Sequence, residues 1–138
     1  MPHLPAIAAL TLALTLAACG ESKEDKVQKA VCSARADIKA QVDELKGMSV
    51  TTATLDGVRA NLREIGDGLE RIAGAQGDLT GDRRQAVEKA SQTFKSEVTG
   101  VTRELVTSVS LSDGKQRIQN ALRGLSSSYQ AAFAPLDC

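Results

Sequence analysis

The stretch "TLDGVRANLREIGDGLERIAGA", Thr54 to Ala75, decides the fold. Its apolar residues Leu55, Val58, Leu62, Ile65, Leu69 and Ile72 alternate steps of three and four without a break. That spacing draws one stripe along a helix, with a period near 3.5 that suits packing against other helices. A half-buried strand would alternate with period two, and nothing of the kind is present.

The same arithmetic holds on either side. From about Glu21 to Lys46 the stripe is Val27, Val31, Ala34, Ile38, Val42 and Leu45. From about Gly81 to Val109 it is Val87, Ala90, Phe94, Val98, Val101, Leu105 and Val109. Val87, Val98 and Val109 lie eleven apart, a period near 3.67 that favours a straighter helix. From about Asp113 to Ala134 it is Ile118, Leu122, Leu125, Tyr129, Ala132 and Phe133. This last segment should stop at Pro135, because the residue before a proline avoids the helical region.

The breaks have physical reasons as well. Gly47 is a terminator followed by threonines, of which Thr54 is the expected N-cap of the second helix. Gly74, Gly77 and Gly81 supply turns, and Asp78 or Thr80 can cap the third helix. Ser112 or Asp113 can start the fourth. Connections this short make consecutive helices antiparallel. The expected class is therefore all-α, an up-down-up-down antiparallel four-helix bundle, in one domain without repeats.

The leader is of a different kind. No charged side chain occurs from Leu4 to Ala18, and the apolar run "AIAALTLALTLAA" is about a dozen residues. A spanning helix needs about 20. The run is apolar on every face, unlike an amphipathic core helix, and has the length of a secretory signal's apolar region. It ends in "LAAC", Leu16 to Cys19, after which the sequence turns polar at once. This motif resembles the lipobox of bacterial lipoproteins, although "MPHLP" lacks the Lys or Arg usual at a signal's start.

The resemblance covers only the leader and implies cleavage between Ala18 and Cys19, followed by acylation of Cys19, palmitate among the attached chains. Each buried CH₂ contributes about 0.8 kcal/mol, so several acyl chains make a stable anchor. Residues 1–18 are then a signal peptide, residues 19–26 a lipidated tether and residues 27–138 the helical domain. Gly20 rather than Asp after the cysteine implies sorting to the outer membrane, where the host has one. The remainder resembles small helical lipoproteins of bacteria, and no functional residue beyond Cys19 is carried over from them.

On that reading Cys19 leaves the disulfide arithmetic, and Cys32 and Cys138 remain as an even pair in an exported chain, where disulfides persist. They are expected to bond to each other. An intermolecular bridge and two free thiols are the competing readings. Closing a loop of about 100 residues stabilises by roughly 4.7 kcal/mol in the chain-entropy model, less any native strain. In a bundle of this order the start of the first helix and the end of the fourth share one end, so the topology and the bond support each other.

Composition limits the chemistry. About 120 residues remain after residues 1–18, enough for one modest core. The 17 Lys and Arg balance 17 Asp and Glu, so no electrostatic footprint for nucleic acid is present. There is no Trp, one Tyr and two Phe, which leaves few platforms for stacking bases or sugars. The single histidine, His3, lies in the leader, which excludes His-based acid–base work from the mature chain. Two cysteines without a histidine make no zinc site, and no metal or other cofactor is expected.

Ser112 to Lys115, "SDGK", matches the S-x-x-K of penicillin-recognising enzymes, but the accompanying S-D-N and K-T-G elements are missing. Asp78, Thr80 and Asp82 have calcium-loop spacing, yet Arg83 stands where that loop needs Gly and Lys89 where it needs Glu. Glu97 and Glu104 lie near one face of the third helix and read as solvated edges. Ser126 to Gln130 gathers hydroxyls around Tyr129, a conceivable polar pocket; otherwise Tyr129 packs in the seam. Gly66 and Gly68 flank the second stripe, where close helix approach competes with a groove for a partner segment.

The sequence therefore points to a non-enzymatic lipoprotein of the bacterial envelope, anchored to the membrane and engaging another envelope protein. A carrier or sensor holding a small apolar or lipid ligand between its helices is the alternative.

Overall fold

The computed structural model describes residues 22–107 and 111–138. They form four helices, α1 (Lys23–Gly47), α2 (Leu55–Gln76), α3 (Gly81–Thr107) and α4 (Leu111–Phe133), with a single 3₁₀ turn at Thr52–Thr54. Among the described residues there is no strand.

Local chemistry sets the boundaries. Ser22 caps α1 by accepting from the Asp25 N–H at 3.1 Å, and Glu24 and Asp25 place carboxylates in the first turn, where the helix dipole favours them. Lys23 to Lys26 of the expected tether thus form the first turn of α1. At its other end α1 stops at Gly47, and the Met48 N–H turns back to the Leu45 carbonyl at 3.2 Å.

Thr54 does not act as the expected N-cap. Its own backbone is already helical, and its side chain makes no cap bond into α2. Instead its hydroxyl oxygen accepts from the Thr51 N–H at 2.8 Å and donates to the Ser49 carbonyl at 2.9 Å. The hydroxyl is used up by the preceding turn, which runs into α2 without a break.

Of the glycines expected at turns, Gly74 lies within α2 and Gly77 closes it in a right-handed conformation. Gly81 alone among the described glycines has a positive φ, 57°, a left-handed step into α3 that other residues make at a cost of about 1–2 kcal/mol. The α4 helix ends at Phe133, short of Pro135 as the proline rule requires. Val109 and the capping side chains of Ser112 and Asp113 lie outside the described residues.

The stripes converge on one core. Val31, Ala34, Ile38, Val42 and Leu45 meet Val58, Leu62, Ile65, Leu69 and Ile72, while Val87, Ala90, Phe94, Val98, Val101 and Leu105 meet Ile118, Leu122, Leu125, Tyr129 and Phe133. Each fully buried Val, Leu, Ile or Phe contributes about 1.5–3 kcal/mol. Three further residues from the connections and tail, Val50, Leu79 and Leu136, plug the ends of this core. All three aromatic rings of the chain gather in it: Phe94 stands edge-on to Tyr129 and Phe133 at 5.6 and 5.5 Å.

Cys32 of α1 is joined to Cys138 within the chain, their Cα atoms 5.7 Å apart. Beside the bond the Gln28 amide donates to the Asp137 carbonyl at 3.0 Å. The turn between α2 and α3 arrives at the same end: the Thr80 N–H and hydroxyl both donate to Glu24, at 3.3 and 3.2 Å, and Lys23 pairs with Asp78. Arg83 pairs with Asp25 there and holds the Asp25 carboxyl below its usual range. Around the bundle α1 packs closely on α2 and α3 on α4, whereas α2 meets α3, and α1 meets α4, more loosely. The seam between α2 and α3 positions the candidate site.

Candidate functional site

The α2 helix meets different neighbours on its two flanks. Gly68 lies against α1 so closely that a Cβ there would stand 2.6 Å from Ile38 Cγ1. Two residues earlier, a Cβ on Gly66 would meet nothing within 4 Å. Gly66 opens into a groove between α2 and α3, floored by Leu62, Leu69, Ala73 and Val98 and about 380 Å³ in volume. Towards the start of α2 a second opening of about 500 Å³ continues it, floored by Leu62, Leu105 and Val106. The two share Leu62 and Thr102, so they form one trough. From Asp56 to Gln76 it follows α2 for about 30 Å at 1.5 Å per residue.

The trough carries unmet polar groups. Ser91 is 8 % exposed and its hydroxyl has no hydrogen-bond partner; the Gln76 side-chain oxygen is likewise buried and unpartnered. Both line the trough near the disulfide end. An unsatisfied buried polar atom costs about 1–3 kcal/mol, and both atoms lie sealed beneath the surface of the trough. The rim is charged in two sections. Glu70, Glu88 and Lys95 border the half near the disulfide, and Asp56, Arg59 and Arg63 the other. Arg59 pairs with Asp56 at 3.1 Å and Glu88 with Arg84 at 3.0 Å. Arg63 makes no ion pair among the described residues. Val106, 80 % exposed, is the large apolar side chain left most in water at that end.

The other sequence candidates are dispersed. Asp78 pairs with Lys23 and Thr80 donates to Glu24, and no three His, Cys, Asp or Glu among the described residues could hold a metal. Glu104 is half-buried and pairs with Arg117 of α4 at 3.1 Å, whereas Glu97 faces solvent. The hydroxyls of Ser126 to Ser128 do not converge on Tyr129. Ser126 is buried, Ser127 is exposed, and Ser128 borders a separate hollow against Ala86, Ala90 and Ala132. Tyr129 is 5 % exposed and donates its hydroxyl to the Arg35 carbonyl of α1 at 2.9 Å. Burial pushes its pKa up. Cys19, Ala18 and the Ser112 and Asp113 side chains lie outside the described residues.

Arg59, Arg63, Gln76 and Ser91 were not singled out by the sequence reading. Ser91 did leave a trace: it lies four after Val87 and three before Phe94, a polar residue on an apolar stripe. The trough sets no nucleophile beside a base. It offers apolar surface and charge, which is equipment for binding. No family model, curated sequence or solved structure matches this chain.

Proposed function

We propose that this chain is a bacterial envelope lipoprotein that works as a non-enzymatic interaction module. Cys19 is exposed by cleavage after Ala18 and acylated, and the acyl chains hold the bundle at a membrane, the outer one where the host has it. The bundle is up-down-up-down and antiparallel, supported by the contacts that gather the start of α1, the α2–α3 turn and the tail after α4 at one end. The α2/α3 trough is the surface it presents to another envelope protein.

One observation carries this reading. The bundle axis is filled, with Ile38, Ile65, Phe94, Leu125 and Phe133 at 0–1 % exposure, while the open space lies outside, along α2/α3. A carrier for a small apolar ligand needs a chamber between its helices. A filled axis with an open trough suits a module that engages another surface.

Metabolic labelling with tritiated palmitate tests the anchor. The wild-type chain should carry label and sediment with membranes, and C19S should be unlabelled and soluble. An unlabelled wild-type chain, or C19S that stays on membranes, overturns the lipoprotein reading.

A further inference from the structure

We propose that the occupant of the α2/α3 trough is a single amphipathic helix of another protein, docked with a carboxylate-bearing turn against Arg63 and Arg59. This rests on the interaction-module reading and specifies its partner.

Shape comes first. A trough of about 30 Å is as long as about five and a half helical turns. Small side chains, Gly66 at its middle and Ala73 and Ser91 towards the disulfide end, let a backbone approach closely, and its floor is an interrupted row of Leu and Val that receives a ridge of apolar side chains.

Polarity separates a helix from a lipid chain. An acyl chain would remain half in water in so open a trough. A helix covers the apolar floor with one face and keeps its polar face in water.

Charge fixes what that helix carries. The half of the trough away from the disulfide has two guanidiniums against one carboxylate, and Arg63 is the cation without an ion-pair partner there. A carboxylate on the incoming helix gives Arg63 that partner and can share Arg59 with Asp56. A second copy of this chain meets the requirement poorly. Packed parallel about a two-fold axis, it sets Arg63 opposite Arg63. Packed antiparallel, it points two lipid-bearing ends in opposite directions, which one membrane cannot hold.

The test uses the intact protein and two designed peptides of about 20 residues. Both are helical with a leucine ridge; one carries Glu on a terminal turn and the other Lys at the same positions. By fluorescence anisotropy the Glu peptide should bind at least tenfold more tightly, Arg63→Glu with Arg59→Glu should reverse that preference, and Gly66→Trp should abolish binding of either. The exposed arginine variants test the proposal even if Gly66→Trp fails to fold.

Equal binding of the two peptides, no binding of either, or binding indifferent to Gly66→Trp in a folded variant each overturns the proposal. So does oleate that binds stoichiometrically and displaces the Glu peptide, which would make the trough a lipid site. A dimer of the free protein that Arg63→Glu abolishes would assign the trough to a second copy and also refute it. Peptide binding needs no lipid on Cys19, so failure here leaves the palmitate result standing; failure of that labelling removes only the membrane argument against an antiparallel second copy, which the dimer measurement then decides.

Discussion

Gly66 and Gly68 sit two positions apart in one helix, and the molecule treats them oppositely. Gly68 is pressed against Ile38 with no room for a methyl group, whereas Gly66 looks into open space. Two steps of about 100° turn a side-chain position through roughly 200°, so the pair faces opposite flanks of α2. The α1 flank is a closed seam whose helices have been drawn together. On the α3 flank the seam gapes and leaves an extended apolar surface uncovered. The lesson is that one residue type serves tight internal packing on one side and vacancy on the other, and vacancy is what a partner can use.

The largest test of this contrast lies at the clasp, which ties the tail to the closed side. Replacing Cys32 and Cys138 with Ser should cost about 2–5 kcal/mol in urea unfolding. The wild-type protein in reductant should reproduce that loss, and non-reducing peptide mapping should recover the Cys32–Cys138 pair. A double variant as stable as wild type would mean that the closed side holds without its bond.

Gly68→Ala addresses the seam itself. Alanine gains about 1 kcal/mol of helix propensity, but its methyl group would stand 2.6 Å from Ile38 Cγ1 and 3.1 Å from Cδ1, so Ile38 or the helix must move. Overpacking should dominate, for a net loss of about 1–2 kcal/mol. Gly66→Ala should do the reverse. Its methyl group meets nothing, the propensity gain stands alone, and the chain should be stabilised by about 1 kcal/mol. Equal effects at the two positions would erase the distinction between the flanks.

How far the sequence carries this picture depends on what each feature needs. A stripe needs only spacing within one helix, which is why Leu62, Ile65 and Leu69 announce α2 and why Val31 to Leu45 land in the core as expected. Val50, Leu79 and Leu136 stand singly in short turns and the tail, where no period exists to reveal them. The trough depends on how far α2 stands from α3, a distance set jointly by many contacts. Hence Gly66 and Gly68 look alike in sequence until their neighbours are known. Thr54 misled because a threonine before an apolar run reads as a cap, yet its hydroxyl serves Thr51 and Ser49 behind it. The calcium-like spacing of Asp78, Thr80 and Asp82 dissolves because Lys23 and Glu24, distant in sequence, claim the first two.

The smallest effect concerns the α1–α4 seam, where Tyr129 reaches from α4 to the Arg35 carbonyl on α1. Tyr129→Phe should cost about 0.5 kcal/mol at neutral pH, the low end for a neutral hydrogen bond. Its signature is at high pH. Burial raises the pKa of this phenol, the positive charges of Arg35 and Lys39 pull it back, and Asp43 adds to the rise. The folded state therefore prefers the neutral phenol, and an unfolded tyrosine ionises near pH 10. The stabilisation is fully present below that pH and is lost as the pH rises through the folded-state pKa, because the unfolded chain gives up its proton first. Unfolding free energy followed from pH 8 upwards should bend down above about pH 10 in the wild type and bend less in Tyr129→Phe. Superimposable curves would mean that the phenol titrates as freely in the fold as outside it, and that α4 and α1 are not closed around it.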